Sequence, residues 1–123
     1  MTSAEFRKIA LSFPEVEEKS HMNHPDFRVQ GKIFATLGYP RSGWGMVVLP
    51  PHQQKLIVQK YPDVFSPANG AWGRQGSTLV LLRAAKTKTV QTALLTAWRN
   101  KAPKHFTQLN PYHRSKLKKK HNG

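Results

Sequence analysis

A chain of 123 residues is long enough for one domain with a real core and too short for two of ordinary size. It carries 20 Lys+Arg against 6 Asp+Glu, a formal charge of +14, and no cysteine, which excludes disulfides, thiolate chemistry and cysteine-held zinc. No apolar run nears the roughly 18 residues of a membrane-spanning helix, and the first residues lack the basic-then-apolar layout of a secretory signal, so a cytoplasmic protein without membrane insertion is expected.

Thr2 and Glu5 stand at capping-box spacing, and Phe6, Ile9, Ala10 and Phe13 follow at i, i+3, i+4 and i+7. This predicts an amphipathic helix from about Ser3 to Ser12, stopped by Pro14. From Val16 to Met22 the chain is polar and extended. "FRVQGKIFATL" (27–37) then reads as a hairpin. With Gln30-Gly31 as a two-residue turn, Val29 faces Lys32, Arg28 faces Ile33 and Phe27 faces Phe34, so Phe27, Val29 and Phe34 pack together with Arg28 on the other face. A Gly31-Lys32 turn would exchange these pairs.

"YPRSGWG" (39–45) is turn chemistry, and "WGMVVL" (44–49) is a third strand. Pro50-Pro51 start a short helix, "PHQQKLIVQKY", ended by Pro62. "SPANGAWGRQG" (66–76) is a glycine-rich loop with a brief strand at Trp72, and "STLVLLR" (77–83) is a strongly β segment. Val90, Ala93, Leu94, Ala97 and Trp98 form one apolar stripe of a final helix that ends near Pro103. The expected class is α+β, an antiparallel sheet with N-terminal and C-terminal helices packed on it. The domain covers 1–103, and 104–123 is a flexible basic tail with six Lys/Arg and no acid.

The charge is unevenly placed. The last acid is Asp63, and from Val64 onward there are twelve positive side chains and no negative one. Such a segment repels itself, and its natural partner is a polyanion, nucleic acid before an anionic membrane surface. Nothing points to an enzyme: there is no G-x-S-x-G and no Walker sequence, and Gly70, Gly73 and Gly76 have neither dinucleotide spacing nor a preceding strand. Glu15, Glu17 and Glu18 read as a solvated acidic patch. His21, His24 and Asp26 are weak candidates for a metal site, because residues three apart on a strand point to opposite faces unless the chain turns at Asn23. Structural or solvent-facing histidines are the favoured reading, with no metal and no cofactor.

Taken together, "FPEVEEKSHMNHPDFRVQGKIFATL", "GWGMVVL", the helix after "LPPHQQ", "GAWGRQGSTLVLLR" and "ALLTAWRNKAPK" resemble the MmcQ/YjbR-like family of small bacterial proteins, from about Phe6 to Lys104. The strongest matching positions are Phe27 with Val29, Gly31-Lys32, Phe34, Trp72 and Ala97-Trp98. The resemblance implies a frataxin-like (CyaY-like) α+β fold of double-wing architecture and DNA as partner, and it brings no catalytic residues with it.

Two hypotheses follow. In the first, a monomeric module binds nucleic acid, DNA above all, through phosphate contacts from Arg28 and Lys32 on a wing, Arg74, Lys101, Lys104, and the tail residues Arg114, Lys116, Lys118, Lys119 and Lys120. Trp44 and Trp72 either stack on bases or belong to the core. In the second, a small ligand or metal is bound by the His21/His24/Asp26 region and the loop around Arg74.

Overall fold

The computed structural model describes residues 1–108. Helix α1 (Ser3–Leu11) starts on the expected capping box: the Glu5 N–H donates to Thr2 Oγ1 at 3.1 Å and the Thr2 N–H to Glu5 Oε1 at 3.3 Å. It buries Phe6 and Ala10 and ends at Leu11, three residues before Pro14.

Three strands follow as a meander, β1 (Val16–His21), β2 (His24–Val29) and β3 (Lys32–Leu37). Both turns between them use two residues with positive φ, Met22-Asn23 and Gln30-Gly31, as a hairpin of right-handed twist requires. The β2–β3 turn is therefore the Gln30-Gly31 one, with Val29 opposite Lys32 and Arg28 opposite Ile33. One expected pair is corrected: Phe27 faces Ala35, because a bulge between Phe27 and Arg28 leaves Phe34 without a direct partner. The small Ala35 opposite Phe27 is compatible with the Phe6 ring, whose centroid lies 6.3 Å from that of Phe27. Phe27, Val29 and Phe34 are nonetheless all fully buried, as expected.

The chain continues through β4 (Trp44–Val48), α2 (Pro51–Lys60), β5 (Phe65–Pro67), α3 (Gly70–Arg74), β6 (Ser77–Leu81) and a 3-10 turn (Leu82–Ala84) to α4 (Thr87–Lys101). A second 3-10 turn (Lys104–Gln108) follows, and its Phe106 packs against the core. Among the described residues the strands form one antiparallel sheet in the order β1-β2-β3-β4-β6-β5. Two of its strands, β1 and β5, are not among those expected. β1 has only Val16 buried and enters the sheet through its ladder to β2, and β5 is three residues long. The strand expected at Trp72 is a helix instead.

The α4 stripe Val90, Ala93, Leu94, Ala97 and Trp98 is buried against β3 and β4, and α1 packs beside it. Trp98 joins the two helical segments: its ring meets Phe13 at 6.1 Å, and its Nε1–H donates to the Pro14 carbonyl at 3.1 Å. Truncating a buried aromatic of this kind costs about 3–5 kcal/mol, so this one side chain fixes how α4 sits on α1.

Candidate nucleic-acid interface

On the outer face of β1 and β2 the antiparallel register sets Glu17 opposite Arg28, Lys19 opposite Asp26 and His21 opposite His24. Asp26 is fully buried. Its Oδ1 accepts from Arg28 Nε at 2.7 Å, and its Oδ2 accepts from Arg28 Nη2 at 3.0 Å and from His21 Nδ1 at 2.8 Å. A buried carboxylate survives only with such partners. The Arg28 hydrogen bonds hold Asp26 below the ordinary carboxylate range, against burial that pulls the other way, and His21 adds to the lowering. The same ion pair raises Arg28.

Arg28 therefore lies on the outer face of the β2–β3 hairpin, with two of its guanidinium nitrogens already engaged by Asp26. The turn at Met22-Asn23 does bring His21 across from His24, but His24 rests edge-on against Tyr39, with ring centroids 6.1 Å apart. Among the described residues no group of three His, Asp or Glu side chains is arranged to hold a metal ion.

The other basic candidates gather elsewhere. Lys32 is exposed beside the tip of the β2–β3 turn, which lies at the same end of the sheet as the last residues of β4, since β3 and β4 run antiparallel. Two cross-links bring further elements to that end. The Leu49 N–H donates to the Gly76 carbonyl at 3.0 Å, tying the α3–β6 turn to β4, and Asn100 Nδ2 donates to the Val48 carbonyl at 3.1 Å, tying down the last turn of α4. Lys32, Arg74 and Lys101 thus share one end of the sheet, and none of them has an ion-pair partner among the described residues. The axes of β3 and β6 are two inter-strand steps apart, about 10 Å, a span over which duplex DNA presents on the order of six charges. Lys104 opens the turn that follows α4. Arg114, Lys116, Lys118, Lys119 and Lys120 lie outside the described residues.

Three of the six acids, Glu15, Glu17 and Glu18, stand to one side of this cluster at the β1 edge, while Asp63 precedes β5 at the other edge. Glu18 pairs with Arg7 at 3.0 Å and Glu17 approaches Lys19 at 3.9 Å. Cations are not confined to the Lys32 end: at the opposite end Arg41 and Arg83 flank a pocket of about 330 Å³ beside Ser3, Ser42 and Trp44. What sets the Lys32 end apart is how far its aromatic stands out into solvent. Trp72 is 60% exposed on α3, two residues before Arg74, whereas Trp44 is half-buried in β4.

The segment carrying Trp72 and Arg74 is tightly held by a residue the sequence did not single out. Gln54, buried on α2, donates from Nε2 to the Gly73 carbonyl at 2.9 Å, the Ser77 carbonyl at 3.1 Å and Thr78 Oγ1 at 3.1 Å. Thr78 Oγ1 in turn donates to the Gly76 carbonyl at 2.9 Å. Two glycines allow the close approach: a Cβ at Gly73 would sit 1.8 Å from the Ala68 carbonyl oxygen, and one at Gly76 1.8 Å from that of Leu49. No sequence signal marks Gln54, which sits in a polar stretch of an ordinary-looking helix.

Fold and site define a small basic α+β protein, with helices backing one face of a six-stranded antiparallel sheet and Lys32, Arg74 and Lys101 grouped at one end of it. The chain belongs to the YjbR family, whose model matches residues 11–100. It is similar in fold to the crystal structure of Deinococcus radiodurans protein DR2400, a DUF419-domain protein, with a TM-score of 0.66 at 13% identity over 79% of this chain and 75% of that one. At such identity the likeness concerns the fold alone. None of the curated proteins compared with the chain matches it. No helix among the described residues is long and apolar enough to cross a membrane.

Proposed function

We propose that this protein binds nucleic acid, DNA in the first place, with phosphates seated on Lys32, Arg74, Lys101 and Lys104 and with the basic residues from Arg114 to Lys120 adding to the attraction. The observation that carries the reading is the convergence of three cations, the exposed Lys32 and Arg74 and the half-buried Lys101, from a hairpin tip, a short helix and the last turn of α4, on one end of the sheet. Arg28 has a supporting part, holding the wing through Asp26. The family resemblance adds DNA as the expected partner, and the charge of +14 adds non-specific attraction to any polyanion.

The test is duplex binding across a range of salt. Each phosphate contact contributes about 0.9 to the slope of log affinity against log salt. The triple variant Lys32→Ala/Arg74→Ala/Lys101→Ala is expected to flatten that slope by roughly 2 to 3. Arg41→Ala/Arg83→Ala removes charge from the opposite end and should leave the slope near that of the parent. Equal losses per charge from the triple and the double variant would refute a localised interface, and absence of any binding at low salt would refute the reading itself.

A further inference from the structure

Trp72 has 60% of its surface exposed in a protein whose other large aromatics are mostly inside: Trp98 and four phenylalanines of the core show no exposed surface. Leaving an indole in water forgoes one of the largest burial gains a side chain offers. Local looseness does not explain it. α3 is pressed onto the Ala68 carbonyl through Gly73, locked by the Gln54 amide, and closed at its end by the Gln75 N–H donating to the Ala71 carbonyl at 2.9 Å. The indole is held out by a rigid mount, the arrangement a contact surface needs to avoid an ordering cost on binding.

Resting on the nucleic-acid reading above, we infer that Trp72 is a stacking platform for an unpaired nucleobase, so that the substrate class is single-stranded nucleic acid or a duplex bearing an unpaired base. Within a continuous duplex the π faces of the bases are covered by their neighbours, and only edges and phosphates are offered. An indole face gains a partner there only when a base leaves the stack. The surroundings favour a nucleotide over an apolar protein partner. Arg74 lies on the same five-residue helix and Lys101 at the same end of the sheet, and no acidic residue occurs from Val64 onward. Cations for the backbone and an aromatic face for the base are the two components of sequence-tolerant single-strand binding.

The experiment uses the full chain, an oligothymidylate and a DNA hairpin duplex of equal phosphate number, at low and moderate salt, with binding read by anisotropy of the labelled DNA and by tryptophan emission. The parent should bind the oligothymidylate with quenching of its emission, and Trp72→Phe should lose most of that quenching while keeping most of the affinity. Trp72→Ala should weaken oligothymidylate binding roughly 5- to 150-fold and change duplex affinity less than about twofold. A thermal melt of each variant within a few degrees of the parent shows that the fold is intact, as exposure of Trp72 leads one to expect. If the parent binds both DNAs with salt dependence and Trp72→Ala binds them equally well, or loses both equally, the stacking role is refuted while the nucleic-acid reading stands. If the parent binds neither DNA at low salt, the nucleic-acid reading falls and the inference falls with it.

Discussion

Replacing Gln54 by leucine keeps most of the side-chain volume and removes the amide that bridges α2 to the α3–β6 turn. The amide has two hydrogens and three acceptors within 3.1 Å, so the loss amounts to about two hydrogen bonds. None of the three acceptors is left bare. The Gly73 carbonyl still accepts from the Gly76 N–H and the Ser77 carbonyl from the Ala68 N–H, while Thr78 Oγ1 keeps its bond to the Gly76 carbonyl. The full penalty of a stranded polar group is thereby avoided, and at roughly 1 kcal/mol per net bond the expected cost is about 2 kcal/mol. In a chain of this size that corresponds to a Tm lowered by roughly 6–12 °C. Urea unfolding followed by far-UV circular dichroism should show a lower midpoint with an unchanged m-value, and amide exchange at Gln75 and Gly76 should quicken. A cost under about 0.5 kcal/mol with unchanged exchange would refute the idea that Gln54 holds the platform in place.

Two further expectations concern the outer face of the sheet. Asp26 has its ionisation favoured in the folded state, so the stability it contributes is present above the ordinary carboxylate range and is lost as pH falls through its lowered value. The stability difference between the parent and Asp26→Asn should therefore be largest near neutral pH and shrink below about pH 4, and a difference constant from pH 2 to 7 would contradict the ion-pair account. Thr36, opposite Asp26, has a buried Oγ1 with no protein partner. Thr36→Val should be neutral or stabilising by about 1 kcal/mol in chemical denaturation, and a loss above 1 kcal/mol would show that the hydroxyl has a partner after all.

The elements legible in the sequence are those whose signals are local. The Thr2/Glu5 capping box, the Gln30-Gly31 turn and the stripe from Val90 to Trp98 each state their structure within a few residues, and the fold class follows from them. β1 is legible as extended chain but its pairing is hidden, because five of its six side chains are exposed and no hydrophobic alternation records that its backbone joins the sheet. α3 defeats propensity: a five-residue segment with two glycines and a tryptophan reads as a loop, and it becomes a helix because Gly73 can lie against Ala68 and Gln54 can reach its carbonyl. For the site, the excess of positive charge was plain and its placement was not, since Lys32, Arg74 and Lys101 meet only through strand register and two long-range hydrogen bonds. The Asp26–Arg28 pair was within reach, because residues two apart on a strand share a face.

The two outermost strands have a consequence for how this chain behaves at high concentration. The exposed N–H and C=O groups of a sheet margin invite a neighbouring molecule to add a strand, the first step towards fibrils. Here one margin, β1, presents Glu17, Glu18 and Lys19 in succession, and the other, β5, lasts three residues and closes on Pro67, which has no N–H to offer. The protein is thereby guarded against self-templating at both sides of its sheet, by a run of charged side chains on one and by brevity and proline on the other.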